Sequence, residues 1–265
     1  MEMLLLITIF VLGACFGSFV NMVVYRTAVR YKVLKSKSPK VLKSQERSYC
    51  DYCGRQLRWF ENVPIISWLT QGGKTRCCAK SLPVSYPIVE ITMGILFLIN
   101  YELRISNYEF NVFFVLELVI ITMLVFSAVF DFRYMILPDF STIILIVIAF
   151  AGVFFDEKNV VPYLLAAVGA AGFLLFLHVI TKGKGMGMGD VKYAVFMGLL
   201  LGPEKTVLAF YVAFVSGAIV GLVLMAVKKV KRKSVIPFGP FLILGTLVAW
   251  WWSGSVGFYV QKMLE

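Results

Sequence analysis

A run of alternating glycines leads directly into an apolar segment in the C-terminal half of the chain: Gly183-Lys184-Gly185-Met186-Gly187-Met188-Gly189-Asp190. The residues that follow, 191–201, predict an apolar helix headed by one carboxylate. Glycine permits positive φ and allows another chain to approach closely. A carboxylate at the mouth of an apolar helix is costly unless it is paired or has a chemical task. A flexible turn with an ordinary acid at a helix start would produce the same local pattern.

The composition places this helix in a membrane. Of the 265 residues, 60% are hydrophobic and 23 are phenylalanine, and the mean hydropathy is +0.84. These values are typical of an integral membrane protein and exclude an ordinary soluble domain. The net charge of +11 is therefore expected to mark the cytoplasmic side of a lipid bilayer, and we expect no nucleic-acid partner.

Apolar segments predict an all-α polytopic membrane protein with about eight transmembrane helices. The predicted spans cover 3–24, 86–101, 110–130, 141–155, 160–180, 191–201, 206–227 and 236–252. We interpret the first as an anchor rather than a cleaved signal peptide, because its front is not basic. The division by composition is a first transmembrane helix over 1–25, a basic cytoplasmic segment with a cysteine motif over 26–85, and a membrane-embedded domain over 86–265. The lone histidine, His178, lies near a helix end and is interpreted as structural.

Basic residues predict the orientation. With the N-terminus outside, the inner side holds all of the 26 lysines and arginines except Arg104, Lys158, Lys205 and Lys262. The positive-inside rule therefore favours a cytoplasmic location for residues 26–80. Asp131, which ends an inward helix, and Asp190, which begins an outward one, are then expected at the same cytoplasmic depth.

Two aspartates at one depth are what an aspartic protease requires. The ionised member activates water, and the protonated member polarises the scissile carbonyl. Asp139 is a competing carboxylate, but it follows Pro138 at a helix start, where the helix dipole stabilises an acid without catalysis. A proton-coupled transporter also carries acids on its helices, although a transporter places them near the membrane midplane between repeats.

Four of the five cysteines lie in the polar segment. Cys50 and Cys53, followed by Gly54, form a knuckle in which two thiolates converge on one ion. Cys77 and Cys78 follow about 24 residues on and would complete four ligands, although a regular second knuckle has two residues between its cysteines. Inert or unpaired thiols are the alternative.

Several motifs together resemble one family. Residues 187–192 look like the GxGD motif of intramembrane aspartyl proteases, and residues 131–139 look like the first aspartate motif of the bacterial type IV prepilin peptidases. Similar stretches lie at 17–21 with Arg26, 50–53, 61–64, 86–90 and 237–240. The resemblance spans nearly the whole chain in the family's order, and so is more specific than any one motif.

The resemblance implies an enzyme that cleaves the leader peptides of type IV prepilins and prepilin-like proteins. The expected location is the cytoplasmic face of the bacterial cytoplasmic membrane, with Asp131 and Asp190, not Asp139, as the catalytic pair. It also implies N-methylation of the new N-terminal residue from S-adenosylmethionine. We assign methyl transfer to 26–85, because this polar segment is the only part large enough to add a cofactor pocket at the cytosolic face, and cleavage to 86–265. A peptidase without methyltransferase activity is the alternative.

The resemblance also implies zinc. The family's polar segment carries two Cys-x-x-Cys knuckles, and Cys78 matches the last of these cysteines. Thr75 stands where its partner should be, and Cys77 is displaced from that position by two. We therefore expect a zinc site with the ligands Cys50, Cys53, Cys77 and Cys78.

For the cofactor, a sulfonium beside an adenine requires a carboxylate and an aromatic surface. Glu61 and Glu90 are the candidate carboxylates. The candidate aromatic side chains are Trp59, Phe60 and Tyr86.

Overall fold

A computed structural model of the protein describes residues 2–33, 48–50, 52–105, 112–155, 159–183, 185–227 and 236–251. Over these ranges the chain is helical, with two isolated bridges and no strand. The helices are α1 (Glu2–Arg30), α2 (Ile66–Thr70), α3 (Ser85–Ile105), α4 (Val112–Tyr134), α5 (Asp139–Phe155), α6 (Val160–Ile180), α7 (Met188–Ala226) and α8 (Gly239–Trp251), with a 3-10 turn at Trp59–Asn62. The predicted all-α polytopic class is confirmed. The lysine-rich segment 34–47 and the basic cluster 228–233 lie outside the described residues.

Five of these helices are long and apolar enough to cross a membrane, namely α1, α3, α4, α6 and α7. The apolar helices α5 and α8 are shorter, at 17 and 13 residues. α7 is interrupted at Gly202, which has φ 72° and precedes Pro203. Proline has no N–H to donate and breaks a helix, and glycine adopts positive φ without strain. Each predicted apolar segment therefore coincides with one helix or with one half of α7.

The chain forms two compact units, Met1–Phe126 and Ser127–Glu265. In the first unit α1 packs along α3. A Cβ at Gly13 would lie 2.8 Å from the Gly94 Cα, and one at Gly17 would lie 2.7 Å from the Glu90 Cα. Small residues thus allow the two backbones to meet. The threefold division at 25 and 85 was drawn from composition and stays a prediction.

In the second unit α7 packs against α5, α6 and α8. A Cβ at Gly198 would clash with the backbone of Ala167 on α6, and one at Gly245 would clash with the Ala209 carbonyl oxygen. Glycine at these two positions brings α6 and α8 into backbone contact with α7. The first half of α7, which carries Asp190, is fixed by this packing, since Tyr193 and Phe196 are fully buried.

Candidate functional site

The structure brings Asp131 and Asp190 together in the second unit. Asp131 lies in the last turn of α4 and Asp190 in the first turn of α7. Both residues are buried, with 6% and 7% of their surface exposed. Their side chains are close enough to interact electrostatically. Two carboxylates that share a buried site favour a state in which they hold one proton between them.

Each of these carboxylates accepts a hydrogen bond from the backbone of a glycine. The Gly239 N–H donates to Asp131 Oδ2 at 3.0 Å, and the Gly187 N–H donates to Asp190 Oδ2 at 3.0 Å. A Cβ at Gly239 would lie 2.6 Å from Asp131 Oδ2, and one at Gly187 would lie 3.1 Å from Asp190 Oδ2. Gly239 therefore has no room for a side chain while the carboxylate keeps its place.

The glycine run is held from both sides. His178 Nδ1 lies 2.7 Å from the Met186 carbonyl oxygen, so the imidazole holds the loop before α7. A Cβ at Gly189 would lie 2.9 Å from the Leu137 Cβ, which shows how closely the segment after Asp131 packs on the start of α7. The described hydrogen bond of His178 therefore goes to the loop and not to either carboxylate, in keeping with its interpretation as structural.

Asp139 lies apart from this pair. Its side chain is 61% exposed and forms an ion pair with Lys192, whose Nζ is 2.6 Å from Asp139 Oδ1. Asp139 therefore lies in solvent beside a lysine, whereas Asp131 and Asp190 are buried and lie close to each other.

The four cysteines predicted as metal ligands form a cluster in the first unit. Their sulphur atoms all lie within 4.8 Å of one another. The Sγ–Sγ distances are 3.8 Å for Cys50–Cys78, 3.3 Å for Cys53–Cys77 and 3.9 Å for Cys77–Cys78. Four thiolates at about 2.3 Å from a tetrahedral zinc ion lie roughly 3.8 Å apart. The cluster therefore fits zinc, and both members of the adjacent pair reach it.

The backbone explains how an irregular cysteine spacing gives this cluster. In the first loop the Cys50 N–H donates to the Arg55 carbonyl, and the Gly54 N–H donates to the Cys50 carbonyl. In the second loop the Thr75 N–H donates to the Lys80 carbonyl, and the Ala79 N–H donates to the Thr75 carbonyl. The two loops are thus the same knuckle built twice.

Thr75 occupies the place of the missing cysteine in the second knuckle. Its hydroxyl lies 3.1 Å from Cys78 Sγ. This contact lowers the pKa of the Cys78 thiol to about 7, whereas burial raises the pKa of Cys77 to about 12. Cys77 supplies its sulphur from the position just before Cys78, an arrangement that cysteine spacing alone does not predict.

The first unit also contains a partly open cavity of about 390 Å³. This volume lies in the range of small-molecule sites. Of the candidates for the cofactor, Glu61, Glu90 and Tyr86 line the cavity, whereas Trp59 and Phe60 do not. The aromatic lining also includes Tyr25, Tyr49, Tyr52 and Trp68, which the sequence reasoning did not single out.

The two glutamates of the cavity differ in their partners. Glu61 accepts from Arg55 Nη2 at 3.1 Å and from the Arg58 N–H at 2.7 Å. The Arg58 N–H, with the Arg55 guanidinium, lowers the pKa of Glu61. Glu90 accepts from the Ile65 N–H at 2.7 Å. Ile65 has φ 62°, which is unusual for a β-branched residue and marks a turn held in place by this carboxylate.

Comparison with known proteins follows the same two regions of the chain. The model of the bacterial peptidase A24 N-terminal domain matches residues 11–103, and the model of the type IV leader peptidase family matches residues 118–222. The second match contains both Asp131 and Asp190, and the first contains the cavity and the cysteine cluster. No solved structure matches the chain.

Three curated relatives all bear the name prepilin leader peptidase/N-methyltransferase. The protein from Bacillus subtilis is 27% identical over 263 residues, which is 97% of this chain and 98% of the relative. That from Stutzerimonas stutzeri is 27% identical over 93% of this chain and 90% of its own length. That from Myxococcus xanthus is 30% identical over 82% of this chain and 62% of its own length. With two family models matched one after the other, the chain belongs to the type IV leader peptidase family.

Proposed function

We propose that this protein removes the leader peptide of type IV prepilins and prepilin-like proteins with an aspartate pair, and N-methylates the residue that cleavage exposes. The main support for the peptidase activity is the buried pair of Asp131 and Asp190, formed where α4 ends and α7 begins. The names of the relatives support both activities. A peptidase without methyltransferase activity is the remaining alternative.

In the cleavage step the pair divides the work. The ionised carboxylate takes a proton from a water molecule as the water oxygen attacks the scissile carbonyl carbon, and the protonated carboxyl donates a hydrogen bond to the carbonyl oxygen. The tetrahedral intermediate then collapses, the C–N bond breaks, and a proton passes from the pair to the leaving amine. Every second residue in the run before Asp190 is glycine, which allows an extended peptide to approach.

The position of the aspartates on their helices argues against a proton-coupled transporter. Transporters place ionisable groups near the membrane midplane, on discontinuous helices. Asp131 and Asp190 instead lie within one turn of a helix end. With the N-terminus outside, both positions face the cytoplasm. A reporter fused near Lys43 should then be cytoplasmic and one near Ser106 external, and the opposite result would overturn this orientation.

We assign S-adenosylmethionine to the cavity of the first unit, because that cavity combines carboxylates with aromatic surface. When bound there, this cofactor would supply a methyl group attached to a sulfonium. Cys50 and Thr75 belong both to the knuckles and to the cavity lining. Zinc held by the four cysteines would thus fix one wall of the cavity.

One experiment tests both activities. The purified protein is incubated with a prepilin and S-adenosylmethionine, and the product N-terminus is analysed by mass spectrometry. We expect loss of the leader and a mass increase of one methyl group. An intact leader would refute the peptidase, and a shortened but unmethylated product would favour the alternative.

A further inference from the structure

Of the two buried glutamates in the cavity, only one lacks a cationic partner in the described part of the chain. Both oxygens of Glu61 lie within 3.1 and 3.2 Å of Arg55 Nη2, so its charge is compensated. The partners of Glu90 are neutral: the Ile65 N–H at 2.7 Å and the Ser18 hydroxyl. Glu90 is only 7% exposed. A buried carboxylate without a counter-charge is costly, and a cationic ligand would lower that cost.

The backbone at Glu90 lies against α1. It faces Gly17, since a Cβ there would lie 2.7 Å from the Glu90 Cα. Arg26, a cation of the same lining, lies nine residues further along α1, or about 14 Å. Its guanidinium stands 5.9 Å from the centre of the Tyr49 ring. The lining thus places Glu90 at the α1–α3 contact, Arg26 about two and a half turns further along α1, and a second cation, Arg76, on the loop of the second knuckle.

We propose that Glu90 is the carboxylate that receives the sulfonium of S-adenosylmethionine, and that Glu61 is a positioning residue that does not touch the cofactor. This inference rests on the methyltransferase function proposed above. Tyr86, one turn before Glu90 on α3, also lines the cavity, and an aromatic face attracts a cation. The Arg55 ion pair, by contrast, ties Glu61 to the first knuckle.

Methyl transfer changes the charge of the bound cofactor, and a second expectation for Glu90 follows from this change. The substrate amine, after losing a proton to solvent, attacks the methyl carbon with its lone pair. The C–N bond forms as the C–S bond breaks, and the positive charge passes from sulphur to nitrogen. S-adenosylhomocysteine therefore carries no charge at sulphur, so Glu90 should hold the product less tightly than the cofactor.

The test measures binding of S-adenosylmethionine, its amine analogue sinefungin and S-adenosylhomocysteine to the full-length protein in detergent. The wild type should bind the two cationic ligands at least about tenfold more tightly than the neutral one. Glu90→Gln should bring this ratio close to one by weakening only the cationic ligands, because glutamine still accepts from the Ile65 N–H. Glu102→Gln, an exposed position on the same helix, is the matched control and should keep the ratio.

Several outcomes would overturn the assignment. Equal affinity of the wild type for all three ligands would contradict the assignment without any variant. The assignment would also be wrong if Glu61→Gln removed the preference for the cationic ligands and Glu90→Gln preserved it. If Glu90→Gln keeps the ratio but weakens binding of a peptide with a free N-terminus, the cation beside Glu90 is the substrate ammonium instead. A wild type that binds none of the ligands would refute the proposed methyltransferase function itself.

Discussion

Each unit of the molecule buries a pair of acids, and the two pairs are arranged differently. In the second unit, Asp131 and Asp190 interact with each other, and each accepts a hydrogen bond from a glycine N–H. In the first unit, Glu61 has its own guanidinium partner and Glu90 has neutral donors. Acids that face each other without a cation are suited to hold and pass a proton. An acid with a guanidinium partner already has its charge compensated, and one with only neutral donors can accept a cationic ligand.

The largest effect is expected from removing a charge from the aspartate pair. Asp131→Asn and Asp190→Asn should each abolish leader cleavage, a loss of at least about 10²–10⁴-fold for a general acid–base group. The amide has almost the size of the carboxyl, so both variants should still enter the membrane. Cleavage is measured by the gel shift of a prepilin.

Asp139→Asn is the matched control for this experiment. Its exposed ion pair with Lys192 contributes little to stability, so cleavage should be largely retained. Normal cleavage by either of the other two variants would refute the aspartyl mechanism.

A smaller but still large effect is expected at a backbone donor. Gly239→Ala would place a Cβ 2.6 Å from Asp131 Oδ2. The carboxylate or the start of α8 must then move, and we expect cleavage to fall by roughly tenfold to a hundredfold. Gly172→Ala on α6, where a Cβ meets nothing within 4 Å, should cleave like the wild type. Equal rates for the two variants would show that the Gly239 contact does not matter.

The cysteine cluster gives a prediction that depends on metal content rather than on activity. We expect about one zinc ion per chain, measured by elemental analysis of the purified protein. Cys77→Ser should release it, since only three thiolates would remain. The double variant Thr75→Cys with Cys77→Thr restores a regular second knuckle and should bind zinc again.

Failure of that double variant to recover metal, with zinc absent also from the wild type, would favour plain thiols. Zinc retained by Cys77→Ser would instead show that a ligand other than Cys77 completes the site.

The smallest effect concerns the pH dependence of stability. Glu61 has a lowered pKa in the folded protein, so its contribution is present above the unfolded value of about 4.3 and is lost as the pH falls through the folded value. Glu61→Gln should therefore cost about 1–3 kcal/mol at pH 7. The difference between variant and wild type in thermal unfolding should shrink below about pH 4. A difference that is constant with pH would mean that Glu61 acts through shape and not through charge.

The sequence predicted the helices well because hydropathy depends on local composition. The apolar segments 191–201 and 206–227 even predicted the two halves of α7, since Gly202 and Pro203 interrupt the hydrophobic run. The α1 helix continues to Arg30, beyond the predicted end at residue 24. Ala28 in this extension is fully buried, so packing within the protein accompanies the part of the helix that hydropathy did not predict.

The sites were less accessible to sequence reasoning because they depend on contacts between distant residues. Nothing near Asp131 in the sequence indicates that the Gly239 N–H, 108 residues away, donates to it. Neither the Ile65 N–H on Glu90 nor the hydroxyl of Thr75 beside Cys78 follows from spacing. Trp59 and Phe60 were candidates for the aromatic surface of the cofactor site, but their side chains do not line the cavity.

The central claim is that cleavage and methyl transfer use different acids in different units. The most direct measurement supplies two substrates, a full-length prepilin and a peptide that starts at the cleaved N-terminus, together with S-adenosylmethionine, and analyses the products by mass spectrometry. We expect Asp190→Asn to leave the prepilin intact and still methylate the cleaved peptide. Glu90→Gln should remove the leader and leave the product unmethylated. If instead each variant lost both activities to the same degree, the two reactions would share one site and the division between Asp131–Asp190 and Glu90 would be wrong.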